Sequence, residues 1–301
     1  MERTSPFPQV ESRIKLVSTR WLEDHLDDPE MTIIDVQPNV HDYFIEHIPG
    51  AVYLNEGVLR VAARGMPTTF GPIMALQDIF RRIGIRRDRP AAVYTAKGAF
   101  KGWGDGLEQT MMAYALAKFG HDNVFVLDGG LDKWKSERRR VEQEFPTIDP
   151  SDFTVEVRGE YPIGYDEFKK TKDKEEVVLL DARPPAFYEG QGPWREPGHI
   201  PGAISLPWRS LMADENPALL KSDDEINSIL ERHNITRDHT VYCSCGTGRE
   251  ATNEFLLFKF YLQFPNVRIY EGSFTEWTMY PENPTVTGSE PRAREAAAAA
   301  R

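Results

Sequence analysis

Short, wholly apolar runs alternate along this chain with longer stretches in which apolar residues recur at helical spacing. Thr32-Ile33-Ile34-Asp35-Val36 and Val178-Leu179-Leu180-Asp181-Ala182 are two such runs, each ending near an aspartate. Residues 91–95 and 240–244 form a second pair, and 123–127 and 266–270 a third. Apolar side chains on consecutive positions predict strands buried on both faces. Residues 19–26 and 165–170, rich in Trp/Leu and Phe/Tyr, predict helices, and Phe255, Leu256, Phe258, Lys259 and Leu262 mark another. Strands alternating with helices predict an α/β fold whose sheet is largely parallel.

The same order of elements is written twice. His47-Ile48-Pro49-Gly50-Ala51 returns as His199-Ile200-Pro201-Gly202-Ala203, and Asp35 returns as Asp181. Gly84-Ile85-x-x-Asp88 matches Asn234-Ile235-x-x-Asp238, and Asp128-Gly129-Gly130-Leu131-x-x-Trp134 matches Glu271-Gly272-Ser273-Phe274-x-x-Trp277. Offsets of 152, 146, 150 and 143 residues, kept in one order, indicate a duplicated domain. Each half reads as helix, strand ending near Asp, Pro/Gly-rich loop to the HIPGA segment, more helix, strand, helix, strand and a Gly-containing turn. The domains are expected at residues 1–145 and 151–285. The polar stretch 142–150 (EQEFPTIDP) reads as their linker, and 286–301 as a low-complexity tail.

Charge and composition narrow the function. Thirty-six basic residues against 47 acidic ones give a formal charge of −11. A nucleic-acid binder needs a basic face, so that class is not expected, nor is binding to acidic membranes. No apolar run is long enough to span a bilayer. The start, MERTSPFPQVESR, has no apolar leader core. Cys243 and Cys245 are the two cysteines, which excludes a disulfide framework and favours a reducing compartment, the cytoplasm. Four-ligand zinc sites supply two ligand pairs, and no second pair follows, so no metal is expected. The chain is expected to act as a monomer.

In open parallel sheets, sites form at the carboxyl ends of strands. There the second half reads Cys243-Ser244-Cys245-Gly246-Thr247-Gly248-Arg249-Glu250. A glycine-rich turn before a helix aims backbone N–H groups at one point, which favours anions. Cys245 is therefore expected to titrate well below its free value of about 8.5 and to act as a nucleophile. The same point would hold a persulfide anion.

From residue 16 to 285 the chain resembles the rhodanese superfamily, specifically its tandem-domain thiosulfate and mercaptopyruvate sulfurtransferases. The resemblance rests on Val17-Ser18-Thr19-x-Trp21-Leu22, the two Asp-ended strands, both HIPGA segments, Cys245-Gly246-Thr247-Gly248 and the EGSFTEW segment. It implies an α/β protein of two rhodanese-like domains, each a mostly parallel sheet flanked by helices. The first would be inactive and the second catalytic. It also implies that Arg183 contacts the anionic donor; Gln37 takes that place in the first half. The loop residues Gly246, Thr247, Gly248 and Arg249 would bind the substrate.

Two registers compete at the loop. Aligning Asp88 with Asp238 sets Thr95, which cannot carry sulfane sulfur, opposite Cys245. Aligning Val93-Tyr94-Thr95 with Val241-Tyr242-Cys243 sets it opposite Cys243, and Cys243-x5-Arg249 resembles the signature of cysteine-dependent phosphatases. The Asp238-to-Cys245 step and the Cys245-to-Gly272 interval match the sulfurtransferase pattern, so Cys245 is preferred. Asp181 is expected to be a hydrogen-bonding scaffold, His199 and His47 to pack, and Trp194 and Arg195 to line the entrance.

The expected reaction moves sulfane sulfur from thiosulfate to cyanide or a thiol through a Cys245 persulfide, with no metal or organic cofactor. The loop also resembles that of mercaptopyruvate enzymes. However, Phe187-Tyr188-Glu189-Gly190 offers a carboxylate where those usually carry a second arginine. Two more functions fit the same residues: a phosphatase using Cys243, and a non-enzymatic carrier of persulfide sulfur.

Overall fold

A computed structural model describes residues 12–292. In chain order the elements are β1 (Ile14–Val17), α1 (Thr19–Asp24), β2 (Thr32–Asp35), α2 (Val40–Ile45), β3 (Val52–Tyr53), β4 (Arg60–Ala63), β5 (Met66–Phe70), α3 (Ile73–Arg82), β6 (Ala91–Tyr94), α4 (Leu107–Lys118), β7 (Val124–Leu127) and α5 (Gly130–Ser136). The second repeat continues with α6 (Tyr165–Thr171), β8 (Val177–Asp181), β9 (Ile204–Ser205), β10 (Met212–Ala213), β11 (Asn216–Leu220), α7 (Asp223–Arg232), β12 (Thr240–Ser244), α8 (Glu250–Leu256), β13 (Val267–Ile269) and α9 (Ser273–Trp277).

Every strand pair of the two main sheets is parallel. The first sheet runs β1-β7-β6-β2-β3 and the second β13-β12-β8-β9. All four residues of β6 and of β7 are buried, which is why these strands read as unbroken apolar runs. The second sheet lacks a full counterpart of β1. A single parallel bridge, Pro162 to Ile269, stands in its place.

Where the repeat pattern predicted more helix after each HIPGA segment, the chain instead makes a short strand, a tight helical turn and an antiparallel hairpin before the expected helix. β4 and β5 are too exposed, and β10 too brief, to show a two-residue alternation.

The chain forms two compact units. One takes residues up to Gly159 together with Met212–Lys221 and Phe260–Gln263; the other takes Glu160–Leu211, Ser222–Lys259 and the stretch from Phe264 onward. The first unit therefore includes the β10–β11 hairpin. There the Gly129 amide donates to the Ala218 carbonyl at 2.9 Å and the Leu220 amide to Asp128 at 2.9 Å.

Two expected boundaries move. The stretch 142–150 is tied to the first unit rather than free: Glu142 exchanges backbone bonds with His47, and Ile148 packs under Gly84. Residues 286–292 also belong to the fold. Val286 pairs with His199, Gly202 donates to Pro291 and Arg292 pairs with Asp173. Residues 293–301 of the expected tail, and residues 1–11, lie outside the described residues.

Each unit closes its core with a tryptophan from its Gly-turn segment. Trp134 and Trp277 are almost fully buried, and their indole N–H groups donate to the carbonyls of Arg140 and Pro284.

Candidate active site

The register at the end of the central strand is decided by the ladder. Asp35 pairs with Tyr94, and Asp181 with Ser244. Val36 donates to the Tyr94 carbonyl as Ala182 does to that of Ser244. Leu131 then donates to Thr95 at 2.9 Å, as Phe274 does to Cys245 at 3.0 Å. Thr95 and Cys245 are thus equivalent positions. Cys243 lies inside β12, paired with Leu180 on one side and Ile269 on the other. It is fully buried, and burial pushes its thiol well up. Cys243 is thus held within the ladder on both sides, whereas the loop opens at Cys245.

Cys245 is the first residue beyond the strand, and the chain wraps its backbone donors around the sulfur. The Gly248 amide reaches Sγ at 3.1 Å. The amides of Thr247 and Ala251 also bond it and favour the charged form. Gly248 can do this because its φ is +83°, a left-handed conformation in which a side chain would meet the Glu271 carbonyl at 2.6 Å.

The expectation of a depressed thiol pKa is overturned. Cys245 is fully buried, and burial together with the neighbouring Glu250 carboxylate pushes its pKa up. The Thr247 and Ala251 amides oppose that shift without cancelling it. Thr247 and Gly248 belong to the loop that the sequence pointed to and Ala251 lies beyond it, and spacing contained no information on how completely water is excluded.

Two residues that sequence reasoning missed complete the cradle. Ser273 occupies the position held by Gly130 in the first unit, and it keeps that glycine's left-handed backbone, with φ of 53° against 57°. Its Oγ accepts the Cys245 amide at 3.0 Å and lies 3.8 Å from Sγ, while donating to the Tyr270 carbonyl at 2.8 Å. A serine where the repeat has glycine, at a backbone conformation that disfavours side chains, was a legible signal. The second missed residue is Glu250, whose side chain is hydrogen-bonded to the Cys245 thiol.

Arg183 lies beside this loop but not as a free cation. It is fully buried and forks onto Asp181, with Nε to Oδ1 at 2.9 Å and Nη2 to Oδ2 at 2.6 Å. Nη2 also donates to the Gly198 carbonyl at 2.9 Å, whereas Nη1 is buried without a hydrogen-bond partner. The guanidinium sits 4.2 Å from the Phe274 ring and 4.9 Å from the Trp194 ring. Trp194 covers Gly246 so closely that a Cβ there would meet its ring at 2.6 Å, and its indole N–H donates to Thr275. Gly246 is therefore the point at which Arg183, Trp194 and the cysteine loop converge.

The remaining expected residues divide. Thr247 contributes its amide. Arg249 stands half-exposed at the head of α8, its carbonyl accepting the Thr252 amide and hydroxyl. Arg195 points into solvent with 96% of its side chain exposed, so of the expected entrance pair only Trp194 reaches the loop. His199 stacks on Tyr188 and bonds the carbonyls of Tyr188 and Glu290; His47 does the same with Tyr43 and Glu144. Both are packing residues.

The first unit fills its equivalent site with its own chain. Glu108 Oε2 accepts the Thr95 hydroxyl at 3.1 Å and the Gly106 amide at 3.0 Å. Gln37 donates to Asp35 at 2.9 Å, in the place that Arg183 takes beside Asp181. A resident carboxylate thus sits where the second unit leaves its amides to a sulfur. Among the described residues no cluster of side chains suits a metal ion, and no helix is long and apolar enough to cross a membrane.

Parallel sheets, a cysteine one step past the central strand and a ring of inward amides define a duplicated α/β domain with one cysteine-centred loop. The rhodanese-like domain pattern matches residues 18–137 and again 165–280, and the chain belongs to that sulfurtransferase family. It is 29% identical to the sulfur carrier protein TtuD of Thermus thermophilus, across 91% of this chain and 97% of that one. It is 28% identical to thiosulfate/3-mercaptopyruvate sulfurtransferase 2 of Arabidopsis thaliana, across 96% and 91%. The crystal structure of SseA from Escherichia coli, a 3-mercaptopyruvate sulfotransferase, superposes with a TM-score of 0.74 at 26% identity, covering 86% of this chain and 98% of that one.

Proposed function

We propose that this protein moves sulfane sulfur from thiosulfate to a thiophilic acceptor, cyanide or a thiol, through a persulfide on Cys245. The observation that carries the reading is the convergence of the Thr247, Gly248 and Ala251 amides on one sulfur. Donors fixed around an atom that becomes anionic favour the charged form without reorganising during the reaction. Cys245 attacks the outer sulfur of thiosulfate, sulfite leaves, and the terminal sulfur of the persulfide inherits the negative charge. The buried, unpartnered Nη1 of Arg183 is the hydrogen-bond donor left to orient the anionic donor. No metal or organic cofactor takes part, and the donor and acceptor are small molecules met by a single chain in the cytoplasm.

Thiosulfate is preferred because 187–190 supplies no second arginine for a pyruvyl carboxylate. One observation favours 3-mercaptopyruvate as an additional donor: an acidic side chain is in contact with the nucleophile.

The test is thiocyanate formation from thiosulfate and cyanide by the wild type, Cys245→Ser and Cys243→Ser, with an aryl phosphate as the competing substrate. Loss confined to Cys245→Ser supports the proposal. Phosphate release that depends on Cys243 would overturn it. A wild type that turns over neither substrate yet becomes persulfidated would make it a carrier instead.

A further inference from the structure

The Cys245 thiol is fully buried, so its proton leaves through a group that touches the sulfur. The groups around Sγ are mostly donors: the amides of Thr247, Gly248 and Ala251. The Ser273 hydroxyl is engaged with the Tyr270 carbonyl. Among the described residues bonded to the sulfur, Glu250 is the one carboxylate. Its Oε2 is buried and has no hydrogen-bond partner, so the group has an unused acceptor inside the site.

Glu254 stands one helical turn further along α8, fully buried, with neither carboxyl oxygen bonded. Burial, with Asp181 and Glu250 nearby, pushes its pKa far up. Asp181 is neutralised by Arg183. Of these three carboxyl groups, Asp181 is ion-paired and Glu254 is pushed toward its uncharged form by burial. Glu250 is left to exchange a proton with the sulfur, the separation of roles that marks an acid–base pair in other sites.

We propose that Glu250 takes the proton of the Cys245 thiol and delivers it to the leaving group of a sulfur donor in which the sulfur is bound to carbon. This rests on Cys245 being the nucleophile. Sulfite leaves thiosulfate as a stable dianion and demands no proton. The leaving group of 3-mercaptopyruvate is the enolate of pyruvate, which does. In that reaction Glu250 removes the Sγ proton and the thiolate attacks the donor sulfur. The S–S bond forms as the C–S bond breaks, and the bonding pair goes to the methylene carbon. The two sulfurs are oxidised to the sulfane level, and the carbon is reduced to methyl by that pair and the proton from Glu250. The donor's own S–H proton stays on the persulfide, and Glu250 returns to carboxylate.

The test is Glu250→Gln, with three readouts: thiocyanate formation from thiosulfate, pyruvate release from 3-mercaptopyruvate, and alkylation of Cys245 by iodoacetamide at neutral pH. Removing the negative charge should speed alkylation several-fold, because Glu250 holds the thiol pKa up. Pyruvate release should nevertheless fall at least ~100-fold further than thiocyanate formation, the scale of general acid–base catalysis. Equal losses with both donors would make Glu250 a structural residue and overturn the proposal. A wild type that releases no pyruvate would overturn it too, while leaving the thiosulfate reading intact. If the wild type transfers sulfur from neither donor, the reading of Cys245 itself fails.

Discussion

Gly248 donates its amide hydrogen to the Cys245 sulfur at 3.1 Å from a backbone conformation that glycine adopts without strain. Any Cβ at that position must push against the Glu271 carbonyl. Gly248→Ala should therefore rotate the amide away and slow sulfur transfer by roughly 10²-fold, the usual effect of losing one fixed donor to a developing anion. Steady-state kinetics checks this. Near-normal kcat with the loop amide displaced would show that the donor contributes little.

Arg183 and Asp181 form a fully buried pair, and the first unit shows what the site looks like without it, with Gln37 beside Asp35. Arg183→Gln should cost about 3–5 kcal/mol, because it leaves the Asp181 carboxylate buried and unpaired. Combining it with Asp181→Asn removes that charge and should restore much of the stability. Thiosulfate binding should stay weak in both variants, since both lack the Nη1 donor. Urea denaturation and KM, measured side by side, separate the two effects.

Asp35 behaves differently from Asp181 because it has no guanidinium partner. Burial pushes it up to about 6 from an ordinary 3.8, against hydrogen bonds from Tyr94 and Gln37. A carboxyl whose pKa is raised on folding stabilises the fold when protonated. Its contribution is fully present below pH 3.8 and is lost as the pH rises through about 6. Asp35 should then contribute on the order of 3 kcal/mol less stability at pH 7 than at pH 4. The difference in unfolding free energy between wild type and Asp35→Asn, followed over that range, should show this slope. A flat difference would mean that Asp35 is ionised throughout.

The duplicated pattern made the architecture legible. Two copies of the same strand-end aspartate and HIPGA segment mark the sheets and the loop. Alignment through Asp88 and Asp238 identified Cys245 over Cys243, and the ladder from Asp181 to Ser244 supports it. What did not show in the sequence is three-dimensional exclusion of water. Glu250 looks like an ordinary acidic residue in the first turn of a helix, and nothing local reveals that its carboxyl turns onto a buried thiol. The expectation of an acidic Cys245 failed for the same reason. Residues 142–150 looked like a free linker because polar, proline-bearing composition marks irregular chain and not detached chain. In the fold, Glu142 and Glu144 hold His47 in place.

The most direct measurement is the intact mass of the peptide carrying both cysteines after brief exposure to thiosulfate without acceptor. One extra sulfur, about 32 Da, should be present in the wild type and in Cys243→Ser, and absent in Cys245→Ser. A sulfur that persists when Cys245 is replaced, or an unmodified wild type that still yields thiocyanate, would contradict a persulfide at residue 245.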